Sequence, residues 1–180
     1  EILRDMRLCK EYNIDTVRTS HYPPDPLLLE LCDELGIYVV DEADLETHGT
    51  FSQQLPPSYN TLSHDPAWQM HFMDRIKRLY GRDKNHASVI MWSLGNEAGG
   101  YACQDVCYEY LHDVCPEIPV HYEGVVRGER HSYDVVSEMY TNHANVEKTG
   151  KHTRGKKYTP KPFFLCEYAH AMGNAIGNLA

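Results

Sequence analysis

Hydrophobic and polar positions along the chain follow two alternating patterns. Apolar residues recur at the spacing of amphipathic helices in four segments, namely 1–12, Pro26–Leu35, 65–81 and Ala102–Val114. Short apolar runs predict buried strands at 14–19, 37–42, 89–94, 119–123, 135–140 and Phe163–Glu167. Gly36 marks the end of the second helix, and Pro66 follows a capping aspartate at the start of the third. The chain is therefore predicted to alternate helices with strands.

Near-continuous apolar strands between helices are typical of a parallel sheet that helices cover. Two layouts fit this order, a doubly wound open sheet and a (β/α)8 TIM barrel. No G-x-G-x-x-G or phosphate-binding loop supports the doubly wound layout. Ionisable residues instead follow most of the predicted strands, which is where a barrel places its active site. A complete barrel needs about 250 residues, so a chain of 180 residues predicts a barrel that lacks some strands.

Composition argues against several kinds of partner and location. The 17 Lys and Arg against 26 Asp and Glu give a formal net charge of −9, with no basic cluster beyond Lys156-Lys157, so we expect no nucleic-acid partner. No apolar run is long enough for a membrane span. The six cysteines follow no disulfide or C-x-x-C spacing, which favours reduced thiols and a cytoplasmic location. Both termini lie within helical patterns, so we interpret residues 1–180 as a piece of a larger protein that holds only part of a domain.

Two carboxylates stand at the ends of apolar strands, Glu97 after VIMWSLGN and Glu167 in FFLCE. A carboxylate at the end of a buried strand is costly unless it is paired or used in chemistry. If both point into one barrel mouth, they can act as acid/base and nucleophile in glycoside hydrolysis, which needs one protonated and one ionised carboxyl group. Helix capping or pairing with an arginine fits their positions equally well.

Other polar residues follow the remaining predicted strands. Glu46 and His48 of ETHG lie on one face of an extended chain and can bind a divalent ion with a third ligand, although a simple histidine hydrogen bond is the stronger alternative. Arg18 and His21 of RTSHYPPDP can orient a carboxylate and bond a sugar hydroxyl. Aromatic residues that can stack on a sugar, or fill the core, are Trp68, Trp92, Tyr140 and Tyr168.

The segments RTSHYPPDP, VVDEADLETHG, VIMWSLGNEAGG and FFLCEYAHAMGNAIG resemble, in this order, the barrel domain of family 2 glycoside hydrolases. They are most similar to the long bacterial β-galactosidases, and the resemblance covers essentially the whole chain. It implies a (β/α)8 barrel of which this chain holds about strands two to seven. It also implies a homo-oligomeric parent that hydrolyses terminal non-reducing β-D-galactose residues, as in lactose, with retention through a double displacement.

Catalytic roles follow from the same resemblance. Glu97 resembles the general acid/base, and Glu167 resembles the nucleophile. Tyr140 resembles the tyrosine that orients this nucleophile, and His21 a histidine that stabilises the transition state. A retaining mechanism predicts that the two carboxyl groups lie about 5–5.5 Å apart.

Substrate-binding and metal-binding residues are predicted around this pair. The substrate-binding set comprises Arg18, His21, His170 and Asn96, of which Asn96 resembles the residue that bonds the 2-hydroxyl group. The resemblance implies a Mg²⁺ site formed by Glu46, His48 and Glu97. A Na⁺ site of the family would lie beyond Ala180, with the eighth strand and its galactose-stacking tryptophan. The first strand would precede Glu1, so we expect the isolated chain to be inactive and to self-associate through open sheet edges.

Three alternatives remain open at this stage. The first is another family 2 β-glycosidase such as a β-glucuronidase, although no Asn-x-Lys is present to hold a uronic acid carboxylate. The second is a non-catalytic module that only self-associates. The third is a metal-dependent hydrolase built on Glu46 and His48, for which no HExxH or histidine-rich motif gives support.

Overall fold

The computed structural model describes residues 1–50, 61–126, 133–158 and 161–176, and the helical pattern expected at the end of the chain lies outside them. The helices are α1 (Ile2–Glu11), α2 (Pro26–Leu35), α3 (Thr61–His64), α4 (Gln69–Asp83), α5 (Ala102–Val114) and α6 (His143–Gly150). The strands are β1 (Thr16–Arg18), β2 (Tyr38–Glu42), β3 (Val89–Ser93), β4 (Val120–His121), β5 (Val136–Met139), β6 (Phe163–Glu167), β7 (Ala171–Met172) and β8 (Ala175–Ile176). Short 3₁₀ turns occupy His48–Thr50, Pro66–Trp68 and Lys156–Tyr158.

Six strands run parallel, as the barrel interpretation predicts. Strands β1 to β4 form one sheet in sequence order, and β5 pairs with β6 in a second sheet. Asp134 joins the two sheets, because its backbone N–H donates to the Val120 carbonyl at 3.2 Å and its carboxylate accepts from the Val120 N–H at 2.8 Å. The parallel strands and their covering helices form a partial TIM barrel, and β7 and β8 add an antiparallel hairpin.

Local sequence signals fix the ends of the helices. Asp25 caps α2 by accepting a hydrogen bond from the Leu27 N–H at 2.9 Å, and Pro26 occupies the first turn. Gly36 ends α2 in the left-handed conformation (φ +65°) that glycine adopts at little cost. These signals end α2 shortly before β2, which is a strand of the sheet.

The hydrophobic core lies between the sheet and the helices. Its fully buried side chains include Leu29 of α2, Ile76 of α4, Leu111 of α5, Val39 of β2 and Trp92 of β3. Full burial of such a side chain contributes roughly 1.5–3 kcal/mol. The core anchors the strands at their middle, so the polar residues at their carboxyl ends are held by a rigid base.

Several expected boundaries differ from the structure. The strand expected at 119–123 pairs only over β4, because the next residues turn toward the barrel mouth: the Tyr122 hydroxyl accepts from the Ala98 N–H at 2.9 Å and Glu123 accepts from the Glu97 N–H at 2.8 Å. Helix α6 and the β7–β8 hairpin were not predicted. Asn142 caps the start of helix α6, because its side chain accepts a hydrogen bond from the Asn145 N–H.

The six cysteines are free thiols, as expected from their spacing. Within the described part of the chain, no helix is both long and apolar enough to cross a bilayer.

Candidate active site

A cleft of about 820 Å³ opens at the carboxyl ends of the parallel strands. Eight of the nine predicted site residues line it, namely His21, Glu46, His48, Asn96, Glu97, Tyr140, Glu167 and His170. The ninth, Arg18, lies beneath the cleft and holds its floor through hydrogen bonds to the lining residues. Parallel strands explain this convergence, because their carboxyl ends meet at one face of a barrel.

The backbone segments at Leu45 and Gly95 approach each other closely, and this approach positions the carboxylate of Glu97. The Asn96 N–H donates to the Leu45 carbonyl at 2.9 Å. Gly95 (φ +110°) makes this approach possible, since a Cβ there would lie 2.3 Å from the Leu45 carbonyl oxygen. Glu97 itself has φ +43°, a strained backbone conformation for a residue with a side chain. The turn aims Glu97 into the cleft instead of continuing the strand.

The Glu97 carboxylate has a histidine neighbour. Its Oε2 lies 3.3 Å from Nδ1 of His48, and the side chain is 29 % exposed. Its backbone N–H is held by the buried carboxylate of Glu123. A partly exposed carboxyl group fixed in this way can exchange a proton with a ligand in the cleft.

Glu167 ends β6 and receives two hydrogen bonds on different oxygens. The Arg18 guanidinium donates to Oε1 at 3.1 Å, and the Tyr140 hydroxyl donates to Oε2. That bond is the main reason that the pKa of Tyr140 rises to about 12, so the phenol keeps its proton at neutral pH and remains a donor. Both alternatives from the sequence therefore meet here, since Glu167 pairs with an arginine and also faces the cleft.

Arg18 connects three polar side chains below the cleft. Its guanidinium contacts Glu42 at 2.7 and 3.1 Å, Asn96 at 2.9 Å and Glu167 at 3.1 Å. The side chain is only 7 % exposed, and that of Glu42 is fully buried. Burial raises the pKa of Glu42, but hydrogen bonds from His21 and Arg18 lower it by more, so the net pKa lies below its ordinary value and the carboxylate is ionised.

Two histidines border the same region. Nδ1 of His21 lies 2.8 Å from the Glu42 carboxylate, and this hydrogen bond is the main cause that raises the pKa of His21. Its Nε2 points toward Glu167 at 3.7 Å. His170 is exposed at the rim, with its ring 5.6 Å from that of Tyr140. Both imidazoles are placed to contact a ligand that enters the cleft.

Glu46, His48 and Glu97 form a group that fits a divalent ion. One ligand atom from each lies within 4.8 Å of the others. Burial and the facing carboxylate of Glu97 raise the pKa of Glu46, because two negative groups converge there. Two carboxylates and one imidazole are ligands that Mg²⁺ accepts, with water for the remaining positions.

Some aromatic candidates are not brought to the cleft. Trp92 is completely buried in the core, where it packs edge-on against Tyr80 at 5.6 Å. Trp68 lines a separate groove on α4, and Tyr168 is 70 % exposed outside the lining of the cleft. The stacking role considered for these three is therefore not supported, whereas the ring of Tyr140 does face the cleft.

The ionisable residues that end predicted strands include Glu42 and Glu123, but no role was predicted for either; the structure shows that they hold other site residues. Met139, which lines the cleft, was not predicted. Glu42 had a visible signal, because a carboxylate that ends the apolar run IYVVDE needs a cationic partner. Which of the adjacent Asp41 and Glu42 points inward depends on the strand pleat, which the sequence alone does not set.

The parallel strands and the two cleft-facing carboxylates define a barrel of the glycoside hydrolase class. Comparison with known proteins agrees: the chain belongs to the glycosyl hydrolases family 2, TIM barrel domain, which it matches over residues 1–180. It is 43 % identical over 188 residues to a β-galactosidase of Pseudoalteromonas haloplanktis, covering 99 % of this chain and 17 % of that protein. It is 42 % identical over 201 residues to a β-galactosidase of Streptococcus thermophilus, covering 99 % and 19 %.

Solved structures with the same fold include two β-glucuronidases. The enzyme from Dictyoglomus thermophilum superposes with a TM-score of 0.74 at 24 % identity, covering 92 % of this chain and 32 % of that one. The enzyme from Bifidobacterium dentium gives 0.70 at 25 % identity, covering 93 % and 30 %. The chain thus spans less than a fifth of the length of these two β-galactosidases and about a third of the length of the two β-glucuronidases.

Proposed function

We propose that this chain is the catalytic barrel of a β-galactosidase that hydrolyses terminal β-D-galactosides such as lactose with retention of configuration. The observation that carries the proposal is that Glu97, in the turn after β3, and Glu167, at the end of β6, face one cleft and have different partners. Relatives at 40 % identity or more that carry the name β-galactosidase support the choice of sugar.

The partners of the two carboxylates support distinct roles in a double displacement. Arg18 and Tyr140 orient the carboxylate of Glu167, which attacks the anomeric carbon and forms a glycosyl-enzyme. Glu97 protonates the leaving oxygen and then removes a proton from the water that releases the sugar. Asn96, fixed by Arg18, presents its amide toward the cleft, where it can hydrogen-bond a sugar hydroxyl.

We also propose that Glu46, His48 and Glu97 hold a Mg²⁺ ion. Their mutual distances and the raised pKa of Glu46 support this assignment. When bound, the ion would supply a fixed positive charge that neutralises the paired carboxylates and orders the loop of Glu46. The six free cysteines support a reducing compartment, and we propose the cytoplasm.

A β-glucuronidase is the second candidate, because the barrel superposes on enzymes of that name. The higher identity to β-galactosidases, 42–43 % against 24–25 % for the β-glucuronidases, favours the galactoside.

The test is hydrolysis of nitrophenyl β-galactoside, β-glucuronide and β-glucoside by the full-length protein that carries this chain. We expect the galactoside to have the highest kcat/KM, and Glu167→Gln to lower kcat by at least about 10³-fold. Glu147→Gln, which changes an exposed glutamate of α6, is the matched control and should leave kcat unchanged. A preference for the glucuronide, or full activity of Glu167→Gln, would contradict the proposal.

A further inference from the structure

A line of hydrogen-bonded polar side chains crosses the interior of the partial barrel below the cleft. Glu42, Ser93, His121 and Ser137 come from β2, β3, β4 and β5, and all four are completely buried. The Ser93 hydroxyl lies 2.5 Å from Glu42 and 2.8 Å from Nδ1 of His121. Nε2 of His121 lies 2.8 Å from the Ser137 hydroxyl. A packed barrel interior is ordinarily apolar, so this polar layer needs an explanation.

The chemistry of these groups gives the line a direction. The ionised Glu42 can only accept, so the single proton of Ser93 points to it and Ser93 must accept from Nδ1–H of His121. Complete burial keeps the imidazole neutral, with a pKa lowered to about 3. The remaining nitrogen, Nε2, then accepts from Ser137. Every donor in the line therefore points toward Glu42.

Glu42 links this line of hydrogen bonds to the cleft through Arg18. Its two oxygens accept from Arg18 at 2.7 and 3.1 Å, and Arg18 in turn donates to Glu167. His121 also spans the place where the ladder between β4 and β5 is interrupted in the described residues. Phe164 of β6 packs edge-on against the imidazole at 5.1 Å and restricts its orientation.

We propose that His121 is a positioning residue for the nucleophile: through Ser93, Glu42 and Arg18 it holds the Glu167 carboxylate in its attacking orientation. This inference rests on the proposed retaining hydrolysis. His121 is fully buried and does not line the cleft, so it acts by keeping Glu42, and through it Arg18, in place. The side chain at position 121 must therefore donate a hydrogen bond to Ser93 and accept one from Ser137. A side chain of similar shape that makes neither bond would not hold Glu42 in place.

The matched pair His121→Gln and His121→Met separates these requirements, because the two side chains have nearly the same length but only the amide donates and accepts. The measurement is the rate at which the full-length protein is labelled on Glu167 by an activated 2-deoxy-2-fluoro-β-galactoside, read by mass spectrometry, together with kcat and KM. We expect His121→Met to slow labelling and kcat by about 10–100-fold, with KM changed by less than about threefold. His121→Gln should stay within about threefold of the wild type.

Leu111→Ala controls for stability, because it empties a fully buried position of α5 away from the polar line. It should lower the Tm without slowing the labelling of Glu167. Wild-type labelling rates in His121→Met, or slowing of His121→Gln or Leu111→Ala equal to that of His121→Met, would overturn the positioning role. If the wild type itself is not labelled on Glu167, the proposed function fails, and that result is distinct from the failure of His121 alone.

Discussion

Removing the Tyr140 hydroxyl is the smallest change that tests how the structure activates Glu167. The phenol donates to Oε2 of Glu167, while Arg18 holds the other oxygen. Tyr140→Phe deletes one donor to a carboxylate and leaves the ring in place. A hydrogen bond to a charged group is worth about 1.5–3 kcal/mol, which corresponds to roughly a 10- to 150-fold change in rate.

The position of Tyr140 narrows this range. The residue is 36 % exposed, so solvent screens the bond and we expect a loss of kcat near the lower limit, about 10- to 30-fold. Its pKa of about 12 keeps the phenol protonated throughout the assay range. The substitution should therefore lower the plateau of the pH–rate profile without adding or removing a limb between pH 5 and 9.

The assay is kcat and kcat/KM for nitrophenyl β-galactoside from pH 5 to 9, with Tyr168→Phe as the control. Tyr168 adjoins Glu167 in sequence but is 70 % exposed and does not line the cleft. The control should match the wild type within about twofold, as is usual for exposed sites. A loss of less than threefold in Tyr140→Phe, or an equal loss in both variants, would refute the claim that this bond orients the nucleophile.

Three further predictions concern charge and metal. Arg18→Met removes the guanidinium that pairs with the buried carboxylate of Glu42, at a cost of about 3–5 kcal/mol. The Tm should therefore fall strongly, and Arg18→Lys should recover part of the loss. Glu46→Ala should weaken Mg²⁺ binding at least about 10-fold by calorimetry, whereas Asp44→Ala, in the same loop, should not; equal affinities would exclude the site. Burial and a facing aspartate raise the pKa of Asp41 to about 8. The folded state therefore keeps a proton on Asp41 that the unfolded chain loses, and the contribution of Asp41 to stability declines as pH rises from about 4 to 8. Asp41→Asn should raise the Tm at pH 8 but not at pH 4; a uniform Tm change at both pH values would contradict this assignment.

The periodic elements could be predicted from the sequence because their signals are local. The sequence predicts α2 from Pro26 to Leu35 with Gly36 as its end, and the helix has these bounds in the structure. The strand expected at 119–123 was too long, because Glu123 leaves the ladder to bind the backbone of Glu97. That contact depends on the turn at Glu97, which is a tertiary feature.

The candidate site shows a similar division. Residues that follow or end apolar strands, such as Glu97 and Glu167, could be identified because a carboxylate there is costly unless it is paired or takes part in chemistry. The partners beneath them could not, since Glu42, Ser93 and His121 are brought together only when the strands align in register. Sequence patterns indicate which face of the barrel carries the chemistry, but not which buried side chains hold it in place.

The stereochemistry of the first product tests the central claim most directly. Proton NMR of the full-length protein turning over a β-galactoside distinguishes the two anomers of galactose before they equilibrate. Double displacement on Glu167 with Glu97 as acid/base predicts that β-galactose appears first and α-galactose only later by mutarotation. If α-galactose appears first, Glu167 is not a nucleophile and the proposed mechanism is wrong.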